Sequence, residues 1–195
     1  MIGSPRFLPR AELDRLLEAL AADGRRILGP TVVDGAVVYD ELMTAASLPA
    51  GWTADAAPGM YRLEATGSAR LFDYGVPMTS WKRFTHPATV PLTRLRRDGE
   101  RVTAIDAIEP PPKLAFVGVR ACEIGASPIQ ERAMRAGPVG DADHAGRRGA
   151  ALVIATECAL ATSTWFCTSM GTGPEVDGGA DLVLSELADG FVVRV

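Results

Sequence analysis

Cys122, Cys158 and Cys167 are the only three thiols in a chain of 195 residues. Two of them lie in one stretch, Cys-Ala-Leu-Ala-Thr-Ser-Thr-Trp-Phe-Cys-Thr-Ser-Met-Gly-Thr-Gly-Pro, over residues 158–174. Thiolates ligate iron–sulfur clusters or attack electrophiles, and cysteines also serve as small buried hydrophobes. Residue types alone leave all three roles open. For a cluster, Gly171 and Gly173 let backbone N–H groups approach inorganic sulfides, and Arg120 beside Cys122 at a helix start favours its thiolate. Against it, no C-x₂-C pair is present. A nucleophile needs a base, and spacing places neither of the two histidines, His86 and His144, beside a thiol. His144 falls in the mixed-charge stretch Asp141–Arg148, which reads as an exposed linker. Ser169 has no nucleophile-elbow pattern, and Gly171-Thr-Gly-Pro lacks the lysine of a phosphate loop.

The elements around the thiols say more than their spacing. Residues 113–119 and 151–157 are apolar runs that read as buried strands, and residues 123–134 between them read as a helix despite Gly125 and Pro128. Strand, helix and strand form a βαβ unit with parallel strands, whose C-terminal ends share one sheet edge. Open α/β folds place their sites at that edge. Cys122 and Cys158 are expected there, and the irregular 158–174 loop can fold Cys167 back to join them. Separations of 36 and 9 residues would not predict a cluster; the placement does.

The expected fold is therefore a single α/β domain over 1–195, with a mixed sheet, the parallel βαβ unit and a small N-terminal helix and hairpin lobe over 1–46. Residues 10–22 carry Leu13, Leu16, Leu17 and Leu20 on one helical stripe, closed by Gly24. Asp34-Gly35 between residues 26–30 and 36–39 is a hairpin turn signal. Residues 60–63, 69–74, 181–184 and 191–195 read as strands, and 47–58 and 86–112 as loops. Trp81 and Phe84 read as core with Lys82 and Arg83 solvated, Lys82 having an alternative role toward an anionic ligand.

Composition narrows the classes. The net charge of −4 argues against a nucleic-acid surface, and the run Arg94, Arg96, Arg97 with Arg101 reads as a solvated loop. Apolar residues make up 47% of the chain, enough for an ordinary core. No apolar run approaches the roughly 20 residues of a membrane helix. An odd cysteine count without a secretion signal points to a reducing, cytoplasmic setting.

Several segments together resemble one family. They are Gly118-Val-Arg-Ala-Cys-Glu-Ile-Gly125, Arg147-Arg148, Glu157-Cys158 and Phe166-Cys-Thr-Ser-Met-Gly-Thr-Gly-Pro174, with Ser80-Trp-Lys-Arg-Phe84 and Asp181-Leu-Val-Leu184. The family is that of the 4Fe-4S dicluster proteins, which includes the beta subunit of cytosolic nickel–iron hydrogenases (sulfhydrogenases) and the corresponding iron–sulfur subunit of anaerobic sulfite reductase. The resemblance runs from about residue 27 to the end. It implies an electron-transfer role between a flavin partner and a catalytic subunit, with Cys122, Cys158 and Cys167 as cluster ligands. It makes the chain an oxidoreductase subunit rather than the catalytic one. Two departures stand out. The family's Cys-Phe-Cys is here Trp165-Phe166-Cys167, so the cluster is expected either to take a fourth ligand such as Asp143, His144 or Ser169, or to be a 3Fe-4S cluster. The ferredoxin-like domain that follows in the family is absent from this sequence. The competing expectation is a cofactor-free docking domain that has lost its cluster ligand.

Overall fold

The computed structural model describes residues 4–106, 110–136, 138–161 and 164–195. Within them lie eleven strands and four helices. The strands are β1 (Arg6–Pro9), β2 (Arg26–Val33), β3 (Ala36–Glu41), β4 (Trp52–Ala57), β5 (Met60–Ala65), β6 (Thr93–Asp98), β7 (Arg101–Asp106), β8 (Leu114–Val119), β9 (Leu152–Thr156), β10 (Leu182–Glu186) and β11 (Gly190–Arg194). The helices are α1 (Leu13–Ala22), α2 (Lys82–Thr85), α3 (Ala121–Arg135) and α4 (Ala142–Ala150).

Seven strands form one mixed sheet in the order β1-β11-β10-β9-β8-β2-β3. Its centre is parallel: β10 pairs with β9, β9 with β8 and β8 with β2, all in the same direction. The edges β3, β11 and β1 run antiparallel to their neighbours. Every residue of β8 is buried, as a central parallel strand covered on both faces requires. Alternate residues feed two cores. Ala115 and Val117 join Leu13, Leu17 and Leu20 of α1 on one face. Leu114, Phe116 and Val119 join Trp81, Ala121 and Ile124 on the other.

The expected mixed α/β fold with its parallel βαβ unit is present, β8 and β9 being adjacent and parallel. The N-terminal helix and hairpin also form, and both are laid onto this same sheet. β2 hydrogen-bonds directly to β8, and α1 caps the first core. The turn at Asp34 (φ 51°) and Gly35 (φ 75°) has both central residues left-handed, the primed geometry that suits a two-residue hairpin.

Other local expectations are corrected. Residues 69–74 form no strand; they run along the sheet edge, where Leu71 and Phe72 donate their N–H groups to the Glu186 carboxylate. The segment read as a loop over 86–112 contains the hairpin β6–β7, which carries Arg94, Arg96, Arg97 and Arg101 as exposed strand residues. Residues 107–109 of that segment lie outside the described residues. The stretch read as an exposed linker is helix α4. Asp141 caps it by accepting the His144 N–H at 2.9 Å, and an Asp143–Arg147 pair spans one turn at 2.7 Å. A polar sequence hid a helix whose one buried residue is His144, only 4% exposed.

Gly118 links this fold to the site. It sits at φ 79° where the β8–β9 register shifts between Val117 and Val119, a bulge that turns the end of the strand. A Cβ there would stand 2.9 Å from the Phe72 ring and 3.2 Å from the Tyr74 hydroxyl. Glycine is therefore required both by backbone angle and by space.

Candidate functional site

β8 ends at Val119 and the chain turns at once into α3. The Arg120 carbonyl accepts the N–H groups of Glu123 and Ile124, each at 3.0 Å. The Glu123 carboxylate returns the bond by accepting the Arg120 N–H at 3.1 Å. This reciprocal pair fixes the first turn of α3 and with it Cys122. On the neighbouring strand, Cys158 comes two residues after the end of β9, and its N–H donates to the Pro174 carbonyl at 3.2 Å, which ties together the two ends of the loop. Thr162 and Ser163 of that loop lie outside the described residues.

The returning half of the loop lies directly on α3. A Cβ on Gly125 would meet the Thr172 methyl at 2.5 Å, so a side chain at position 125 would push the loop away. A Cβ on Gly173 would lie 3.2 Å from the Ala121 Cβ and 3.9 Å from the Cys167 Cβ. The Thr172 N–H holds the Cys167 carbonyl at 2.9 Å. Two glycines that weaken a helix or a loop by propensity are what let Cys167 reach the first turn of α3.

Two neighbouring cavities lie on this edge, and the three thiols meet at one of them. The inner one, of about 310 Å³, is lined by Cys122, Cys158 and Cys167 with Trp165 and Gly173. The outer one, of about 400 Å³, shares Cys122, Cys167 and Trp165 and is otherwise mostly apolar, with Val76 and Ile129 on its wall. Phe166 and Met170 stand at its rim, 67% and 61% exposed. All three cysteines are free and partly buried. Cys122 and Cys167 line both cavities, while Cys158 lines only the inner one.

The electrostatics differ from the expectation for Cys122. Burial, with like charge from Cys167, Glu123 and Cys158, pushes its thiol up to about 12, so the helix start and nearby Arg120 do not make it a ready thiolate. Burial also raises the Cys158 thiol, but there the Arg120 guanidinium opposes the rise. Arg120 is the residue that sequence reasoning missed as a centre of the site. It is only 1% exposed, and its guanidinium donates to the carbonyls of Phe72 (2.7 Å), Tyr74 (3.0 Å) and Glu157 (3.0 Å) while lying 4.6 Å over the Tyr74 ring. Burial works against its charge. The facing Tyr74, Cys158, Tyr39 and Glu123 more than offset this and leave its pKa raised. A buried cation beside a thiol at a strand end favours negative charge in the inner cavity.

Glu123 adds a titration in the neutral range. Burial lifts its carboxyl from 4.5 to about 7, against the lowering effects of Arg120 and a hydrogen bond to Ser80. One of its oxygens, Oε1, is enclosed without a partner. Between pH 4.5 and about 7 the folded chain keeps a proton that the unfolded chain has released. The stability from Glu123 is thus fully present below 4.5 and lost as pH rises toward 7, by an amount on the order of 3 kcal/mol. Urea unfolding of Glu123→Gln across this window should lack that downward slope, so the variant gains on the parent as pH rises. Parallel curves for the two proteins would refute the assignment.

The expected alternatives for a fourth ligand do not reach the thiols. Asp143 pairs with Arg147, and His144 is turned toward α2, its Nδ1 3.1 Å from the Thr85 carbonyl. Ser169 is exposed. None of the three lines either cavity. His86 stands by His144, ring centroids 6.1 Å apart, so neither histidine is placed as a base for a thiol. Trp81 packs edge-on to Phe116 at 4.9 Å, while Lys82 is exposed and lines neither cavity.

Among the described residues, no group of three or more His, Cys, Asp or Glu side chains is gathered closely enough to hold a single metal ion. A cluster spreads its thiolates more widely than one ion does, and the donor set here is three thiols around one cavity, with Arg120 beside it. Thiols are the donor type that iron–sulfur clusters take. No helix among the described residues is long and apolar enough to cross a membrane. Comparison of the chain with known protein families, with curated proteins and with solved structures finds no match. The resemblance to the iron–sulfur subunits therefore rests on the residues quoted for it.

Proposed function

We propose that this chain is an iron–sulfur electron-transfer module of a cytoplasmic multi-subunit oxidoreductase, of hydrogenase or sulfite-reductase type. Its partners would be the catalytic subunit of that complex with a flavin-bearing one. The observation that carries the reading is the meeting of all three thiols, one from the start of α3 and two from the 158–174 loop, at one cavity on the C-terminal edge of the parallel strands. Cys122, Cys158 and Cys167 would hold the group, which supplies a one-electron redox couple when bound. Arg120 offsets negative charge there. The close approach of the loop at Gly125 and Gly173 holds Cys167 in place and limits water. With three thiols and no further ligand on the cavity wall among the described residues, the form favoured is a 3Fe-4S cluster.

A second reading, a cofactor-free docking domain, is favoured by Trp165. Its indole lines both cavities, packs 3.0 Å from where a Gly75 Cβ would stand, and occupies the position where the resemblance expects a fourth cysteine. Anaerobic reconstitution with ferrous iron and sulfide separates the two. The parent should take up iron and sulfide in cluster stoichiometry, and Cys122→Ser, Cys158→Ser and Cys167→Ser should each lose most of it. Uptake by none of the four proteins would leave the docking reading.

A further inference from the structure

We propose that Cys122 and Cys167 are a reversible disulfide pair, a modification site whose co-substrate is a low-molecular-weight disulfide of the glutathione class. The two thiols line the same two cavities, and they are the two cysteines that do so. Close packing of the loop on α3 holds them there: a Cβ on Gly125 would meet the Thr172 methyl, and one on Gly173 would meet the Ala121 and Cys167 Cβ atoms. Cys158 is set apart from the pair because it lines only the inner cavity. The outer cavity opens at exposed Phe166 and Met170, which gives a small disulfide a path to Cys167.

The chemistry closes without a further reagent. The Cys167 thiolate attacks one sulfur of the small disulfide, displacing a thiolate and forming a mixed disulfide. Cys122, on the first turn of α3 and away from the exposed rim at Phe166 and Met170, reacts second: its sulfur attacks that of Cys167, its proton passes to the departing thiolate, and a second small thiol leaves. Two protein thiols and one disulfide become one protein disulfide and two thiols. The product staples the 158–174 loop to the first turn of α3. Its regulatory meaning rests on the cluster reading above, since two of three ligands are then withheld and iron uptake waits on reduction.

Reduced, iron-free protein is incubated with oxidised glutathione, alkylated, and mapped by mass spectrometry. The expected result is loss of two of the three alkylatable thiols, a Cys122–Cys167 linked peptide, and Cys158 alone alkylated. Cys158→Ser should still form the link, and Cys122→Ser should stop at a mixed disulfide on Cys167. A link that includes Cys158, glutathione retained on a single cysteine of the parent, or three thiols still alkylated would overturn the proposal. Iron uptake is measured before and after oxidation. Uptake lost on oxidation and restored by a phosphine reductant supports the gating, whereas equal uptake by both forms overturns it. Uptake by neither form removes the cluster reading and leaves the disulfide standing.

Discussion

Replacement of Arg120 by methionine should cost more stability than any other single change at the site, on the order of 3–5 kcal/mol. Methionine keeps much of the volume of the side chain but donates nothing. Three enclosed carbonyls, those of Phe72, Tyr74 and Glu157, would lose their guanidinium donor at once. Cys158 would lose its cationic neighbour as well. Native domains have only about 5–15 kcal/mol in hand, so the variant should unfold at much lower urea and lose order first at residues 72–74, which Arg120 ties to the sheet edge. Arg120→Lys should not rescue it, because one ammonium cannot span three carbonyls as the planar fork does. Equilibrium unfolding of both variants checks this. A loss below about 1 kcal/mol for methionine would show that the guanidinium bonds are replaced by water at little cost.

Trp165→Cys should raise iron and sulfide uptake above that of the parent and make the bound group more resistant to chelators. Trp165 lines both cavities together with Cys122 and Cys167, so a thiol in its place has partners already in position. Removing the indole also empties space that a Trp fills with some 150–250 Å² of buried surface. Without iron the variant should therefore be less stable than the parent, by about 3 kcal/mol for a large-to-small change at a half-buried site. The two effects have opposite signs, and only a vacated ligand position gives both. A variant that loses stability and gains no iron would mark Trp165 as packing alone.

Much of this edge was legible in the sequence, for a definite reason. The runs at 114–119 and 152–156 are apolar on both faces, as central parallel strands must be. Once they are parallel, Cys122 and Cys158 must emerge together. Cys167 could be placed only as a loop residue able to return; what brings it back is the contact of Thr172 with Gly125, and in sequence that glycine reads as a helix weakness. Arg120 was legible as a neighbour of Cys122 but not as a buried hub, because its partners are backbone carbonyls from residues 37 to 48 positions away. Helix α4 was hidden because its stability comes from the Asp141 cap and the Asp143–Arg147 pair rather than from an apolar stripe. The hairpin β6–β7 was hidden because all of β6 is exposed, so no alternation of burial marks it.

Iron-edge X-ray absorption of the anaerobically reconstituted parent tests the central claim most directly. Three cysteine thiolates and inorganic sulfide predict a first shell of sulfur with an iron neighbour beyond it. The same measurement on Cys158→Ser should show that signal sharply reduced. A first shell made only of oxygen and nitrogen, with no iron neighbour, would contradict a cluster at Cys122, Cys158 and Cys167.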